Sequence, residues 1–201
     1  VTAFLVDPKN NPGIKLADFP MRTLKRDNLA EVHFEDAFIP DEALLGDEFK
    51  GFPILGSALD TGRFSVAARC VGQAQRCVDL AVPYAGDREA FGSPIGEFQL
   101  IQQKLAMMEV ARMNIQNLVY RTIEMSNAGK TMTFAEASAM KLYSARAATQ
   151  VALEAGQLFG GNGYMSEFRV EQLARDAKVL QIYAGTDEIQ IVAIAKDLLR
   201  G

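Results

Sequence analysis

Residues 97–127, EFQLIQQKLAMMEVARMNIQNLVYRTIEMSN, carry the pattern that decides the fold class of this chain. Apolar side chains recur there at steps of three and four residues, which is the period of an amphipathic α-helix. They are Phe98, Ile101, Leu105, Met108, Ile115, Val119 and Thr122. A helix of this length with one apolar stripe predicts neighbouring helices that cover the stripe, and therefore a helical bundle.

The segments on either side have helical patterns of their own. Residues 52–84 are rich in Ala, Val and Leu on most sides, which favours a central helix buried by several neighbours. Residues 134–158 place mostly small side chains on one face, where another helix can approach closely. That face is Ser138, Leu142, Ala145, Thr149, Ala152 and Gly156. With shorter helices predicted at 170–183 and 187–199, the predicted fold is mainly α, a bundle of four or five helices.

The first part of the chain has a different pattern, typical of β structure. Residues 1–6 form a short apolar run, and residues 30–39 alternate between apolar and polar positions. Both are predicted to be strands. Two isolated strands are marginally stable in water, so this region needs partners outside this chain or earlier in a longer one. His33 falls on the polar face of its strand, where an exposed spectator is expected rather than a catalytic base.

The composition excludes several classes of function. The chain has 201 residues, of which 49% are hydrophobic and 23% charged, and a net charge of −4, which is typical of a soluble globular protein of one or two domains. The negative charge and the absence of a basic run argue against nucleic acid as a partner. No apolar run approaches the roughly 20 residues that a membrane span needs, so we predict no span and an intracellular protein.

Few side chains are available for metal binding or nucleophilic catalysis. The chain has one histidine, so we predict no metal site, and a Ser-His-Asp hydrolase would have to depend on His33. Cys70 and Cys77 would lie on one face of a helix but about two turns apart, too far for a disulfide bond. We interpret them as buried free thiols, with a redox or metal role as the alternative.

Two glycine-containing segments could approach a ligand closely. The segment GQLFGGNGY at 156–164 follows a helix and lacks a Lys-Ser/Thr pair, so it is neither a Rossmann fingerprint nor a P-loop. It is either a helix C-cap with a tight turn or a loop that contacts a cofactor. In QIYAGTDEIQ at 181–190, Thr186 can cap a new helix, and Asp187 and Glu188 complement its dipole. Free backbone N–H groups there could instead meet an anionic or carbonyl oxygen.

An arginine inside an apolar helix is the clearest physical indication of a site. Asp60 and Arg63 lie three residues apart in the segment predicted to be the central helix. A buried arginine is costly unless it is paired or faces a cavity. The loop DREAFGSPI at 87–95 also carries an arginine and an aromatic ring, although a solvated loop explains it equally simply.

Taken together, these segments resemble the acyl-CoA dehydrogenase family of flavoproteins. The matching segments are FEDAFIPDEALLG, LDTGRFSVAARCVGQA, DREAFGSPIGEFQLIQQKLA, QLFGGNGYMSEFRVEQLARDAK and IYAGTDEIQ, which together cover nearly the whole chain. The resemblance implies that residues 1–46 are the end of an incomplete middle β-barrel domain. Residues 47–201 would be the C-terminal helical domain, a four-helix up-and-down bundle.

The same resemblance implies a function. Members bind FAD between the two domains, and a neighbouring subunit of the homotetramer completes the site. They oxidise an acyl-CoA thioester at Cα and Cβ and pass electrons to an electron-transfer flavoprotein. The implied location is cytoplasmic, or the mitochondrial matrix in a eukaryote.

Site residues follow from the family's motifs. The positions implied to bind FAD are Arg88, Phe91, Gln99, Gln157, Leu158, Phe159, Gly160, Gly161, Thr186, Asp187 and Glu188. The positions implied to border the acyl-CoA are Asp60, Arg63, Tyr183, Ala184 and Gly185. The backbone N–H of Ala184 would polarise the thioester carbonyl, as an oxyanion hole does.

The family's catalytic base is missing from this sequence. Most members have a glutamate at the position of Ala184, and a second group has one at the position of Gly62. A base from the absent half of the protein is the explanation we favour. The alternatives are a family member with different chemistry such as desulfination, a non-catalytic subunit, an engineered replacement, or a helical oligomerisation module without flavin.

Overall fold

The computed structural model describes residues 1–21, 23–24 and 29–200. The chain forms two compact units, Val1–Leu59 and Asp60–Gly201. None of the helices in the described part combines the length and apolarity needed to cross a membrane. Within the same residues, no cluster of three or more His, Cys, Asp or Glu side chains could hold a metal ion.

The first unit contains one antiparallel hairpin. Strand β1 (Ile14–Phe19) pairs with β2 (Leu29–Phe34), in a register that places Ile14 opposite Phe34 and Phe19 opposite Leu29. The prediction of a strand at 1–6 was wrong, because the bridge between Phe4 and Leu44 is the single β contact of this segment with the described residues. Strand β1, which follows this segment, was not predicted.

The predicted strand at 30–39 is also shorter than expected. It ends at Phe34 because Asp36 adopts a left-handed backbone conformation with φ 49°, which interrupts the extended chain. His33 is about half exposed and lies 3.3 Å from Glu31, in agreement with an exposed position.

Five α-helices account for most of the described residues after Lys50. They are α1 (Gly51–Asp87), α2 (Gln99–Asn127), α3 (Phe134–Phe159), α4 (Val170–Ala177) and α5 (Asp187–Leu198). A short hairpin joins α1 to α2, and each of its strands, β3 (Glu89–Ala90) and β4 (Ser93–Pro94), has two residues. The predicted fold class, a mainly α bundle, is confirmed.

The core lies where the periodicity of α2 and α3 places it, but the expectation that residues 52–84 are buried on most sides fails at the start of α1, where Phe52 and Leu55 are exposed. Met108, Ile115 and Val119 of α2 are buried, as the stripe predicts. The buried face of α3 includes Ser138, Ala145 and Ala152, each with no exposed surface. Cys70 and Cys77 on α1 are free and fully buried, so the interpretation as buried thiols is confirmed. Their burial raises the pKa of each thiol to about 12.

Local hydrogen bonds set where the later helices begin and end. Helix α3 begins with a capping box, in which the Thr133 hydroxyl accepts from Glu136 N and the Glu136 carboxylate accepts from Thr133 N. The predicted helix at 170–183 was too long, because α4 ends at Ala177. The Thr149 hydroxyl donates to the Ala177 carbonyl at 3.3 Å, and the chain continues as a tighter 3₁₀ turn (Lys178–Gln181).

Candidate functional site

The junction before α5 is a left-handed turn. Ala184 has φ 53° and Gly185 has φ 92°, and the left-handed region is uncommon for a residue with a Cβ such as Ala184. A Cβ on Gly185 would lie 2.6 Å from Gln190 Nε2, so the turn requires glycine at this position for reasons of space as well as conformation. Thr186 caps α5 by accepting from Ile189 N at 3.4 Å, as predicted.

Two fully buried polar side chains hold this turn from the inside. Gln190 Nε2 donates to the carbonyl oxygens of Ala184 at 3.1 Å and of Gly185 at 2.9 Å. Lys141 Nζ, from α3, donates to the same Gly185 oxygen at 2.9 Å. Burial lowers the pKa of Lys141, and the nearby Asp187 carboxylate opposes that effect.

The acidic residues of the turn have different environments. Asp187 is 6% exposed, and Arg146 Nε donates to its Oδ2 at 2.9 Å, so its carboxylate is already engaged within the chain. Glu188 is exposed, and its pKa is lowered first by its own backbone N–H and then by the Thr186 hydroxyl. The other oxygen of Asp187, Oδ1, is buried and accepts no hydrogen bond among the described residues.

The arginine predicted to need a partner has two. Arg63 is 2% exposed, its Nη1 donates to Asp60 Oδ1 at 2.9 Å, and its guanidinium lies 4.0 Å from the centroid of the Phe134 ring. Its Nε is buried with no hydrogen-bond partner among the described residues. Such an unsatisfied donor is unusual in a buried position and is compatible with a ligand.

A second group of predicted residues surrounds one pocket of about 300 Å³. Arg88, Leu158, Phe159, Gly160 and Gly161 line it together. A Cβ added to Gly160 or Gly161 would meet no atom within 4 Å, so the loop leaves open space on this side. The structure thus brings the arginine after α1 and the glycine cluster after α3 to a single place.

Tyr84 and Asn162, which the sequence analysis did not identify, fix that loop. The Tyr84 ring stacks on Phe159 with centroids 3.8 Å apart, and its hydroxyl donates to the Phe159 carbonyl at 3.3 Å. Asn162 Nδ2 donates to the Tyr84 hydroxyl at 3.0 Å. The signal that could have found Tyr84 is its spacing, because it lies four residues before Arg88 and so about one helical turn away.

Six of the predicted cofactor residues lie outside the lining of this pocket: Thr186, Asp187 and Glu188 at the turn before α5, and Phe91, Gln99 and Gln157. Gln99 and Gln157 are exposed. Phe91 occupies the first position of the two-residue β3–β4 turn with φ 55°, followed by Gly92 with φ 89°, which is the pattern of a type I′ turn. Its ring is 99% exposed and makes an edge contact with Phe98 at 6.2 Å.

Neither of the two positions that the resemblance implies for the catalytic base carries a carboxylate. Ala184 is half-buried at the turn. Gly62 lies on α1, and a Cβ added there would meet no atom within 4 Å. Open space beside the chain is thus shown at Gly62, whereas Ala184 packs against the buried core.

Comparison with known sequences assigns the chain to a family. The sequence model of the family described as "Acyl-CoA dehydrogenase, C-terminal domain" matches residues 50–199. The chain belongs to the acyl-CoA dehydrogenase family.

Individual relatives agree with this membership. The chain is 42% identical to the mitochondrial 2-methylacyl-CoA dehydrogenase of Solanum tuberosum, over 100% of its own length and 48% of the relative's. Among solved structures it matches the butyryl-CoA dehydrogenase of Megasphaera elsdenii with a TM-score of 0.93 and 37% identity, covering 99% of this chain and 52% of the other.

A third match comes from a structure described as the electron transferring flavoprotein of Acidaminococcus fermentans. Its TM-score is 0.94 at 35% identity, covering 100% of this chain and 52% of the other. The chain therefore spans about half the length of each of these three matches.

Proposed function

We propose that this chain supplies the flavin-binding and thioester-binding elements of an FAD-dependent acyl-CoA dehydrogenase that forms an α,β-double bond. The proton-abstracting base would come from a part of the protein outside residues 1–201. The observation that carries the proposal is the left-handed turn at Ala184 and Gly185, because the resemblance implies a thioester contact at the backbone N–H of Ala184, and that N–H donates no hydrogen bond among the described residues.

The residues around the pocket that Arg88, Gly160 and Gly161 line together fit a flavin dinucleotide. Arg88 offers a guanidinium that can make charge-assisted hydrogen bonds to a pyrophosphate, and Gly160 and Gly161 leave open space beside it. Bound FAD would accept the hydride from Cβ of the substrate. Phe91, Gln99 and Gln157 are exposed, in positions suited to contacts with a cofactor held partly by another subunit. This arrangement supports a homo-oligomer.

The turn before α5 fits an acyl-CoA thioester. The backbone N–H of Ala184 would donate to the thioester carbonyl oxygen, where negative charge develops as the α-proton leaves. Removing one donor of this kind typically costs a factor of about 10² to 10³ in rate. The buried Arg63, with its unpaired Nε, would border the same ligand on the α1 side together with Asp60 and Tyr183.

The missing base limits what residues 1–201 can do. A general base typically contributes about 10²- to 10⁴-fold in rate, so a protein with no replacement would oxidise its substrate slowly. A carboxylate on another domain, directed at the substrate, would restore that factor. Electron-transfer flavoprotein is the electron acceptor we propose, and the location we propose is the cytoplasm or the mitochondrial matrix.

A second candidate function is favoured by the lack of a carboxylate at Ala184 and Gly62. A family member that cleaves a C–S bond, as in desulfination of a sulfinyl acyl-CoA, needs no base for an α-proton. The missing carboxylate would then need no replacement from another part of the protein. A non-catalytic subunit or a helical oligomerisation module is the remaining alternative.

Two measurements separate these functions. Purified protein that is yellow from bound flavin supports the cofactor assignment, and a colourless stable oligomer supports the module. Anaerobic bleaching of the flavin by one member of a panel of saturated acyl-CoA thioesters supports the dehydrogenase. Flavin-loaded protein that no saturated thioester bleaches would refute it, and release of sulfite from a sulfinyl thioester would then favour the second candidate.

A further inference from the structure

Lys141 and Gln190 are buried polar residues to which the family resemblance gives no role. Both have no exposed surface, and both direct nitrogen atoms at the carbonyl oxygens of the Ala184–Gly185 turn. A lysine in such a position is expensive, because burial removes its ammonium group from water. The placement of such a costly group against one carbonyl calls for an explanation beyond packing.

The lysine is held in place by a small network. Asp187 Oδ1 lies 3.8 Å from Lys141 Nζ, and Arg146 donates to the other oxygen of the same carboxylate at 2.9 Å. Asp187 begins α5, whereas Lys141 and Arg146 belong to α3. The network therefore connects the turn and the start of α5 to the most buried helix of the bundle.

These donors fix the direction of the peptide groups in the turn. In a trans peptide the C=O of one residue and the N–H of the next point in opposite directions. Because the carbonyl oxygens of Ala184 and Gly185 face Gln190 and Lys141, the N–H groups of Gly185 and Thr186 point away from them. Among the described residues, no hydrogen bond is donated by the backbone N–H of Ala184, Gly185 or Thr186.

We propose that Lys141 and Gln190 are positioning residues. They fix the two peptide groups that follow Ala184, and so hold in place the residue whose backbone N–H, which donates no hydrogen bond among the described residues, would meet the oxygen of a thioester. This inference rests on the proposed function above. It explains why position 185 is glycine, since a Cβ there would displace Gln190 Nε2. It also explains how the turn keeps its shape when residue 184 is alanine, because both contacts are made to backbone atoms.

The test uses the flavin-loaded protein and cinnamoyl-CoA, a chromophoric thioester whose absorption shifts to longer wavelength when its carbonyl is polarised. We compare the wild type with Lys141→Met and Gln190→Met. Lys104→Met is the matched control, because Lys104 is a part-buried lysine paired with Glu154 at a distance from the turn. The shift is measured with saturating ligand, so it reports carbonyl polarisation rather than the amount bound or the stability of the fold.

We expect the wild type and Lys104→Met to give the full shift, and Lys141→Met and Gln190→Met to lose at least half of it. A variant that folds, holds flavin and gives the full shift would overturn the inference for that residue. If Lys141→Met does not fold, Gln190→Met decides the matter, since it removes the amide that donates to both carbonyls and leaves the charges of Lys141, Asp187 and Arg146 paired as they are. A wild type that binds flavin but gives no shift would refute the proposed thioester site itself, which is a distinguishable result.

Discussion

Two glycines with the same backbone conformation but different surroundings provide a quantitative test of the turn. Gly185 has φ 92° and Gly129, after α2, has φ 70°. Replacing either by alanine places a Cβ in the left-handed region, which costs roughly 1–2 kcal/mol. At Gly129 nothing lies within 4 Å of the added Cβ, so this conformational cost is the whole expected effect.

At Gly185 a second cost is added. The Cβ would lie 2.6 Å from Gln190 Nε2, and Gln190 has no exposed surface into which it can swing. Displacing the amide leaves buried carbonyl oxygens short of a donor, at about 1–3 kcal/mol. We therefore expect Gly185→Ala to lose about 1–3 kcal/mol more than Gly129→Ala.

Urea unfolding of both variants, with unchanged slopes, measures this difference. Thermal unfolding should agree, because each kcal/mol corresponds to about 2–4 °C for a chain of this size. Only Gly185→Ala should also reduce the polarisation of bound cinnamoyl-CoA. Equal losses of stability in the two variants would refute the claim that Gln190 is fixed against the turn.

Three further predictions concern other parts of the bundle. The thiols of Cys70 and Cys77 have a pKa near 12 when folded and an ordinary value of 9.0, so their contribution is complete below pH 9 and is lost as pH rises towards 12. Urea unfolding should show that the free energy of unfolding falls by about 1 kcal/mol per thiol between pH 8 and pH 10. A variant with both cysteines replaced by alanine should lose this dependence on pH, and an unchanged dependence would contradict the prediction. Thr133→Ala removes the capping box of α3 and should lower the free energy of unfolding by about 1 kcal/mol. The control Thr131→Ala should lower it much less, and equal losses in the two variants would argue against the cap. Arg88→Met should weaken retention of FAD by about tenfold or more without changing the unfolding midpoint, and unchanged retention in equilibrium dialysis would remove Arg88 from the site.

The helical part of the fold was predictable because it depends on periodicity. The stripe in α2 and the small face of α3 follow from steps of three and four residues, which any amphipathic helix must show. The end of α4 was not predictable in this way, because the Thr149 hydroxyl that bonds to Ala177 comes from another helix. Strand β1 was missed because all but one of its residues are exposed, so no buried face gives it a pattern.

The candidate site, too, was predictable from the sequence only in part. Arg88 and the glycine cluster could be named from sequence motifs, yet that they share one pocket follows only from the packing of α1 against the end of α3. Lys141 was overlooked although it lies three residues after Ser138 and four before Ala145, on the buried face of α3. A charged residue on an apolar helical face is the signal that would have found it. Gln190 gives no such signal, because its role depends on the turn folding back over α5.

We propose that the turn at Ala184 retains the thioester contacts while the base lies elsewhere in the protein. The most direct test is the anaerobic rate of flavin bleaching by the best saturated acyl-CoA, with and without α-deuterium, in the wild type and in Ala184→Glu. Because Ala184 already has a Cβ at φ 53°, the glutamate adds no new backbone strain. We expect a primary isotope effect in the wild type, and rates in the two proteins within about tenfold of each other. A wild type that is slower than Ala184→Glu by the full 10²- to 10⁴-fold of a general base would contradict the proposal.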